Sequence, residues 1–366
     1  MAVVLTGGNT RGRSPRRLWS RFKRIDTLVK FIVFLTVLAA IIGGIFLYLG
    51  IRDYRAMRDA RAEWVEVSDM AVNGEAEPVN LIEIPVGSNG TDFSAVSDQA
   101  VYKPDDALYK AIDLKALQVL NPNVSGYIYI PGTVISYPIM REVTPGDYFY
   151  IDHDIYNRRD KYGSIFELCD QERGADSAVD WIFGHHMASG SMFSGLYDFL
   201  DPDFAADTPV YIYRDGYRSE FRALGCCVVD KTDPVYMFGK YGAGSEAYAG
   251  LLEHLRDENK LDAGTDWFTA GDGLTVLSTC YGGAGTRQRV IVLLKELRRA
   301  VTPEYYRQLA DVYQYGGSTA PLDPGTLPGG ASAVDPDGAL TDFDAALSGG
   351  PGTNFGNDGP QAGMWE

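Results

Sequence analysis

The stretch LTVLSTCYGGAGTRQRVIVLL, residues 274–294, reads as two strands joined by a glycine loop. Residues 274–278 and 290–294 are aliphatic or β-branched almost throughout, as strands with covered faces are. Between them Gly282, Gly283 and Gly285 let the chain turn. The first strand delivers Cys280 at its C-terminal end, and Arg289 opens the second. If the loop is a hairpin connection, cysteine and arginine sit on adjacent strands.

Working outward, similar runs recur at 126–130, 134–139, 164–168, 179–183, 210–213 and 220–229, punctuated by Gly, Pro and Asp. Many short strands with turn signals between them predict a mainly β chain, a barrel or a sandwich. Helical patterns are few: 108–120 before Asn121-Pro122-Asn123, and an insertion at 245–259.

The N-terminal part is different. Residues 31–50, FIVFLTVLAAIIGGIFLYLG, carry no charge and are long enough to cross a bilayer core as a helix. The run ends in Leu47, Tyr48, Leu49 and Gly50, then charged Arg52, Asp53 and Arg55, which favours a retained anchor over a cleaved signal. Arg11, Arg13, Arg16, Arg17, Arg21, Lys23, Arg24 and Lys30 precede the span against the single acid Asp26, so the N-terminus is expected inside. The expected organisation is a basic cytoplasmic arm (1–30), a transmembrane anchor (31–51), a stalk helix and linker (52–105), a catalytic domain (106–314) and a Gly/Pro/Asp-rich tail (315–366). The tail has too little apolar surface to offset chain entropy and is expected to be disordered.

Net charge is −16 over 366 residues, which argues against a general nucleic-acid binder. Four cysteines, Cys169, Cys226, Cys227 and Cys280, are too sparse for a disulfide scaffold. The histidines lack zinc-ligand spacing, and no metal or cofactor is expected.

Three places carry chemistry: Cys280, Arg289, and Ile182-Phe183-Gly184-His185-His186, where a strand runs into a Gly-His turn. A thiol is mostly protonated near neutral pH, and its thiolate is the nucleophile. A histidine can take that proton and later give one to a leaving amine. Arginine stays protonated, so it serves to hold a carbonyl and its oxyanion. The histidine has to arrive from a third strand, which the sequence does not place.

At these residues the chain resembles the class B sortases. Leu277-Ser278-Thr279-Cys280 is similar to the family's TLxTC signature, Phe183-Gly184-His185 to its histidine turn, and Arg289-Val290-Ile291-Val292 to its Arg-led last strand. Asn121 through Ile128, Ile135-Ser136-Tyr137-Pro138-Ile139, Tyr150 through Ile155 and Gly163-Ser164-Ile165-Phe166 continue the likeness in order. The resemblance implies an eight-stranded sortase β-barrel with a few helices behind one N-terminal transmembrane helix. It implies Cys280 as nucleophile, His185 as general acid/base and Arg289 as oxyanion stabiliser. It implies a thioacyl enzyme formed on the C-terminal sorting signal of secreted proteins, resolved by an amine of a peptidoglycan precursor or a pilin. Such an enzyme would be single-pass at the plasma membrane of a Gram-positive-type cell, its catalytic domain outside. Thr279, Ser278 and Met192 are expected to line the substrate groove.

The pattern has departures. Val276 stands where the signature has Thr, and no acidic residue takes a third catalytic place. His186 doubles the histidine, and Arg287 shares strand parity with Arg289 as a fallback. His153, between Asp152 and Asp154, reads as structural, and Cys226 and Cys227 as core thiols. The competing readings are a hydrolytic cysteine peptidase on the same fold and a non-catalytic anchored binding protein.

Overall fold

A computed structural model describes residues 15–73, 78–84, 86, 99–173, 177–262, 264–282 and 286–316. The first part of the basic arm, much of the linker and the tail from 317 lie outside the described residues. The chain divides into two units, residues 1–61 and 62–366.

The first unit is helical. Helix α1 (Pro15–Asn73) takes the two stretches read separately, 31–51 and 52–70, as one element whose last residues belong to the second unit. Its most apolar 18-residue stretch has a mean hydropathy of 2.7, and Phe31, Phe34, Ile41 and Phe46 are exposed there. Among the described residues it is the helix long and apolar enough to cross a membrane.

The second unit opens with the end of α1. Trp64, Val67 and Ala71 are buried, Trp64 meets Tyr137 edge-on at 5.8 Å, and the Ser68 and Tyr127 hydroxyls are 2.7 Å apart. Strand β1 (Ile82–Ile84) follows, inside the stretch read as linker with little regular structure. Ile82 and Ile84 are buried around exposed Glu83, a strand alternation too short, at three residues, to stand out from the linker.

Next come α2 (Leu114–Leu120), β2 (Val124–Tyr129), β3 (Ser136–Arg141), β4 (Ile165–Glu167), α3 (Asp170–Arg173) and β5 (Val179–Phe183). Then follow α4 (Pro202–Asp207), β6 (Val210–Arg214), β7 (Tyr217–Asp230), α5 (Glu246–Glu258), β8 (Leu274–Cys280), β9 (Gln288–Val301) and α6 (Pro303–Gly316). The helix expected over 108–120 is broken into a 3-10 turn, Ala107–Tyr109, and α2. The break falls where Asp113 leaves the helical conformation to accept the Ala116 N–H as an N-cap.

The strands close on themselves. The ring runs β9, β7, β6, β2, β3, β4, β5, β8 and back to β9, with β1 added to the far end of β9. This is the expected eight-stranded barrel, with β3–β4 and β5–β8 paired parallel and the other ring pairs antiparallel. The two 14-residue strands, β7 and β9, wrap it together, and register shifts at 220/221 and 223/225 of β7 supply the bend. A Cβ at Gly225 would lie 2.7 Å from Leu293, so the second shift needs glycine. Tyr127, Ile139, Phe166, Trp181, Phe183, Val276, Leu277 and Val292 fill the core.

Helix α5 is the expected insertion. Ser245 caps its start by accepting the Tyr248 N–H, and Tyr248, Leu251, Leu252 and Leu255 form its buried face. It covers β7, so Cys226 and Cys227 are both buried although they point to opposite faces. Burial pushes both thiols up to about 12.

Two buried acids are handled in opposite ways. Glu167 receives Arg214 through two contacts of 2.9 and 2.5 Å, and Arg141 at 3.0 Å. Burial alone would raise its carboxyl, but these cations hold it far below the carboxylate range. Glu142 has no cation among its hydrogen-bond partners. It accepts the Tyr148 N–H at 2.6 Å and faces Glu172, so burial and that neighbouring carboxylate push it well above the ordinary value. A raised acid binds a proton in the folded state that the unfolded chain has lost. Its contribution to stability is therefore full below the unfolded value of 4.5 and falls as pH rises toward the folded one. Glu142→Gln keeps the acceptor for Tyr148 without the titration. We expect thermal melts to show the variant more stable than the wild type by a few degrees near pH 8, and level with it below the unfolded value of 4.5.

Candidate active site

The site is made by three neighbouring strands, β5, β8 and β9. Cys280 is the last residue of β8, and its cross-strand partner is Arg289 on β9. On the other side β8 runs parallel to β5, with Phe183 opposite Ser278. The register is carried past the end of β5 by two bonds: the Gly184 N–H donates to the Ser278 carbonyl (3.2 Å), and the Thr279 hydroxyl donates to the Gly184 carbonyl (2.7 Å). One further step along both chains brings His185 level with Cys280. The third strand, which sequence could not place, is β5.

Gly184 makes that step sterically possible. A Cβ there would meet the Ile165 side chain and would lie 2.8 Å from the Phe193 ring. The aromatic-Gly-His order is thus a packing requirement.

His185 is half-buried, and its Nε2 lies 2.6 Å from the Ile151 carbonyl oxygen. A carbonyl only accepts, so Nε2 carries the proton and Nδ1 is the basic nitrogen of the neutral ring. Ile151 closes a 3-10 turn, Phe149–Ile151, anchored by the Ser164 N–H on the Tyr150 carbonyl (2.8 Å). A main-chain oxygen therefore takes the orienting role for which the sequence offered no acid. Burial lowers the imidazole pKa, with Arg289 adding to it and the Ile151 carbonyl and Asp152 opposing. Burial raises the Cys280 thiol, and Arg289 opposes that. The resting pair is accordingly thiol and neutral imidazole.

Arg289 is fully buried, and one Nη donates to the Thr286 and Gln288 carbonyls, both at 2.8 Å. Arg287, the fallback, is turned away: its Nε and Nη2 clasp exposed Asp230 at 3.0 and 2.8 Å. His186 stacks on Tyr197 with ring centroids 4.3 Å apart. His153 is held by the Phe149 carbonyl and Asp152, each at 2.8 Å, and stacks on Phe149.

The three residues expected to line the groove are enclosed in this structure, as Arg289 is. Ser278, Thr279 and Met192 are fully buried. The Ser278 hydroxyl is 2.8 Å from that of Tyr236, Thr279 is bonded to Gly184, and the Met192 N–H donates to the Tyr137 hydroxyl at 3.1 Å. They support the site from behind. Strand β8 is covered on both faces up to Thr279.

Sequence reasoning missed Tyr197 and the Ile151 carbonyl. Tyr197 lies in the 3-10 segment Phe193–Leu200, and its hydroxyl donates to the Cys280 carbonyl at 2.8 Å. No spacing rule would have found it.

Elsewhere, Glu142, Cys169 and Glu172 bring one possible metal ligand each within 4.8 Å of one another. Burial is the main cause that raises both the Glu142 carboxyl and the Cys169 thiol.

No protein-family model matches the chain. Sortase B of Listeria monocytogenes is 28% identical over 171 residues, covering 46% of this chain and 67% of that protein. Sortase B of Staphylococcus aureus is 23% identical over 185 residues, covering 50% of this chain and 74% of that protein. Among solved structures, sortase B from Bacillus anthracis aligns with a TM-score of 0.48 at 20% identity, over 67% of this chain and 99% of that one.

The Thr279 hydroxyl carries the register past the strand end, and Thr279→Val tests it. We expect denaturant unfolding to show a loss of about 1–3 kcal/mol, the cost of stranding a buried carbonyl. Unchanged stability would mean that the bond holds nothing in place.

Proposed function

We propose that this class B sortase, a cysteine transpeptidase, cleaves the C-terminal sorting signal of secreted proteins and passes the acyl group to an amine of a peptidoglycan precursor or a pilin. What supports the reading is the pairing of Cys280 with Arg289 across β8 and β9, together with the β5–β8 register that the Gly184–Thr279 bond carries on toward His185. In this reading the Cys280 thiolate attacks the scissile carbonyl, and the carbonyl oxygen gains the negative charge. Arg289 holds that oxyanion. The intermediate collapses as protonated His185 gives its Nδ1 proton to the departing amine, leaving a thioester. An incoming amine then gives its proton to Nδ1 and attacks, and the thiolate is released.

The apolar part of α1, within residues 31–51, would anchor the enzyme in the plasma membrane. The basic arm would keep the N-terminus cytoplasmic and the barrel outside.

The direct test is intact-mass spectrometry of the full chain in detergent, incubated with sorting-signal peptides. A mass gain equal to the N-terminal half of a peptide, absent in Cys280→Ala and discharged by added amine, is the expected result. Discharge at the same rate with and without amine would point to hydrolysis instead. No adduct with any peptide would overturn the proposal.

The pKa shifts set the shape of the pH profile. Catalysis needs thiolate and imidazolium together. Below the lowered His185 value the thiolate is lost tenfold per pH unit, and above the raised Cys280 value the imidazolium is. Between them the two changes cancel. We expect kcat/KM to be bell-shaped and broad, with its acid limb below 6.5 and its alkaline limb above 9.0. Arg289→Gln should lower kcat/KM by about 100- to 1000-fold and push the alkaline limb higher, because the cation that opposes burial at Cys280 is gone. A rate that keeps rising into alkali in the wild type would remove His185 from the acid role.

A further inference from the structure

Strand β8 ends at Cys280, and the chain beyond has left the ladder to β5. One oxygen atom spans that point. The Tyr197 hydroxyl donates to the Cys280 carbonyl (2.8 Å) and accepts the Gly282 N–H (2.7 Å), so it closes around Tyr281 from both sides. Gly282 sits at φ +89, where a side chain would be strained. The phenol therefore fixes the two peptide groups that lead out of the nucleophile.

Tyr197 is itself fastened to the histidine turn. The Phe193 N–H donates to the His185 carbonyl at 2.9 Å, and the Met187 N–H and carbonyl both bond the Ser194 hydroxyl at 2.8 Å. The ring lies nearly parallel to His186, 7° apart, and its centroid is 5.4 Å from that of Tyr281. The histidine segment and the cysteine segment, no longer joined by a ladder, are thus joined through this side chain.

We infer that Tyr197 is a positioning residue, which holds the end of β8 against the His185 turn so that the thiol and Nδ1 stay aligned. The inference rests on the proposed function. Burial raises the phenol pKa, in keeping with a hydroxyl that stays protonated to make both bonds. Acting through the backbone, Tyr197 should influence the chemical step and leave peptide affinity alone.

Tyr197→Phe removes only the hydroxyl and keeps the ring on His186. In the full chain in detergent, the acylation rate constant from single-turnover mass spectrometry should fall about 10- to 100-fold, with KM held within about twofold. Both limbs of the pH profile should stay where the wild type has them. Acylation within about twofold of wild type would overturn the inference. So would a KM increase at unchanged rate, which would make Tyr197 a substrate contact, or a shifted alkaline limb, which would make it a titrating acid. Should the wild type form no adduct, the functional reading fails on its own. The tie is then judged by amide exchange at Gly282, which must quicken in Tyr197→Phe and is refuted if it does not.

Discussion

Strand β9 pairs with two strands at once along residues 289–294, β7 on one side and β8 on the other, and this double pairing closes the barrel. Every other placement at the site follows from it. Closure sets β8 between β9 and β5, so a residue at the end of β8 is flanked on both sides by the ends of other strands. Cys280 occupies that position, with Arg289 on one side and the continuation of β5 on the other.

The same closure explains the electrostatics. Strands shared between two neighbours are buried on their faces, and groups at their ends are only partly desolvated. The thiol is raised and the imidazole lowered by one cause, the loss of water, and Arg289 acts on both in the same sense, favouring the anion and disfavouring the cation. Away from the site, Glu167 shows what full compensation looks like, with two guanidinium groups on one carboxylate. Glu142 shows the alternative, where the proton remains.

Much of the barrel was legible because its strands announce themselves. Runs such as 179–183 and 274–278 are apolar and β-branched as covered strands are, and turn residues separate them, while the count of eight came from the family resemblance. The helix at 245–259 was legible from its cap and apolar spacing. What failed was local competition and long-range pairing. Asp113 stopped one helix with a side-chain bond that periodicity does not register, and β1 exists only because β9 offers it an edge. At the site, Cys280 and Arg289 were legible as neighbours across a short loop, whereas His185 needed the parallel β5–β8 register, a contact over about a hundred residues of chain that no local rule supplies. The roles of Tyr197 and Ile151 depend on loop paths alone.

The four cysteine sulfurs of this chain differ sharply in how they meet their surroundings. Cys169, Cys226 and Cys227 are buried free thiols, the last two held up to about 12, while Cys280 is only half-buried with a guanidinium beside it. Oxidants act on accessible thiolates. In an environment rich in them, damage would concentrate on the one accessible thiol, at the strand junction, whenever it ionises. Redox sensitivity is thus confined to the strand junction, and the barrel carries its other sulfurs as packing material.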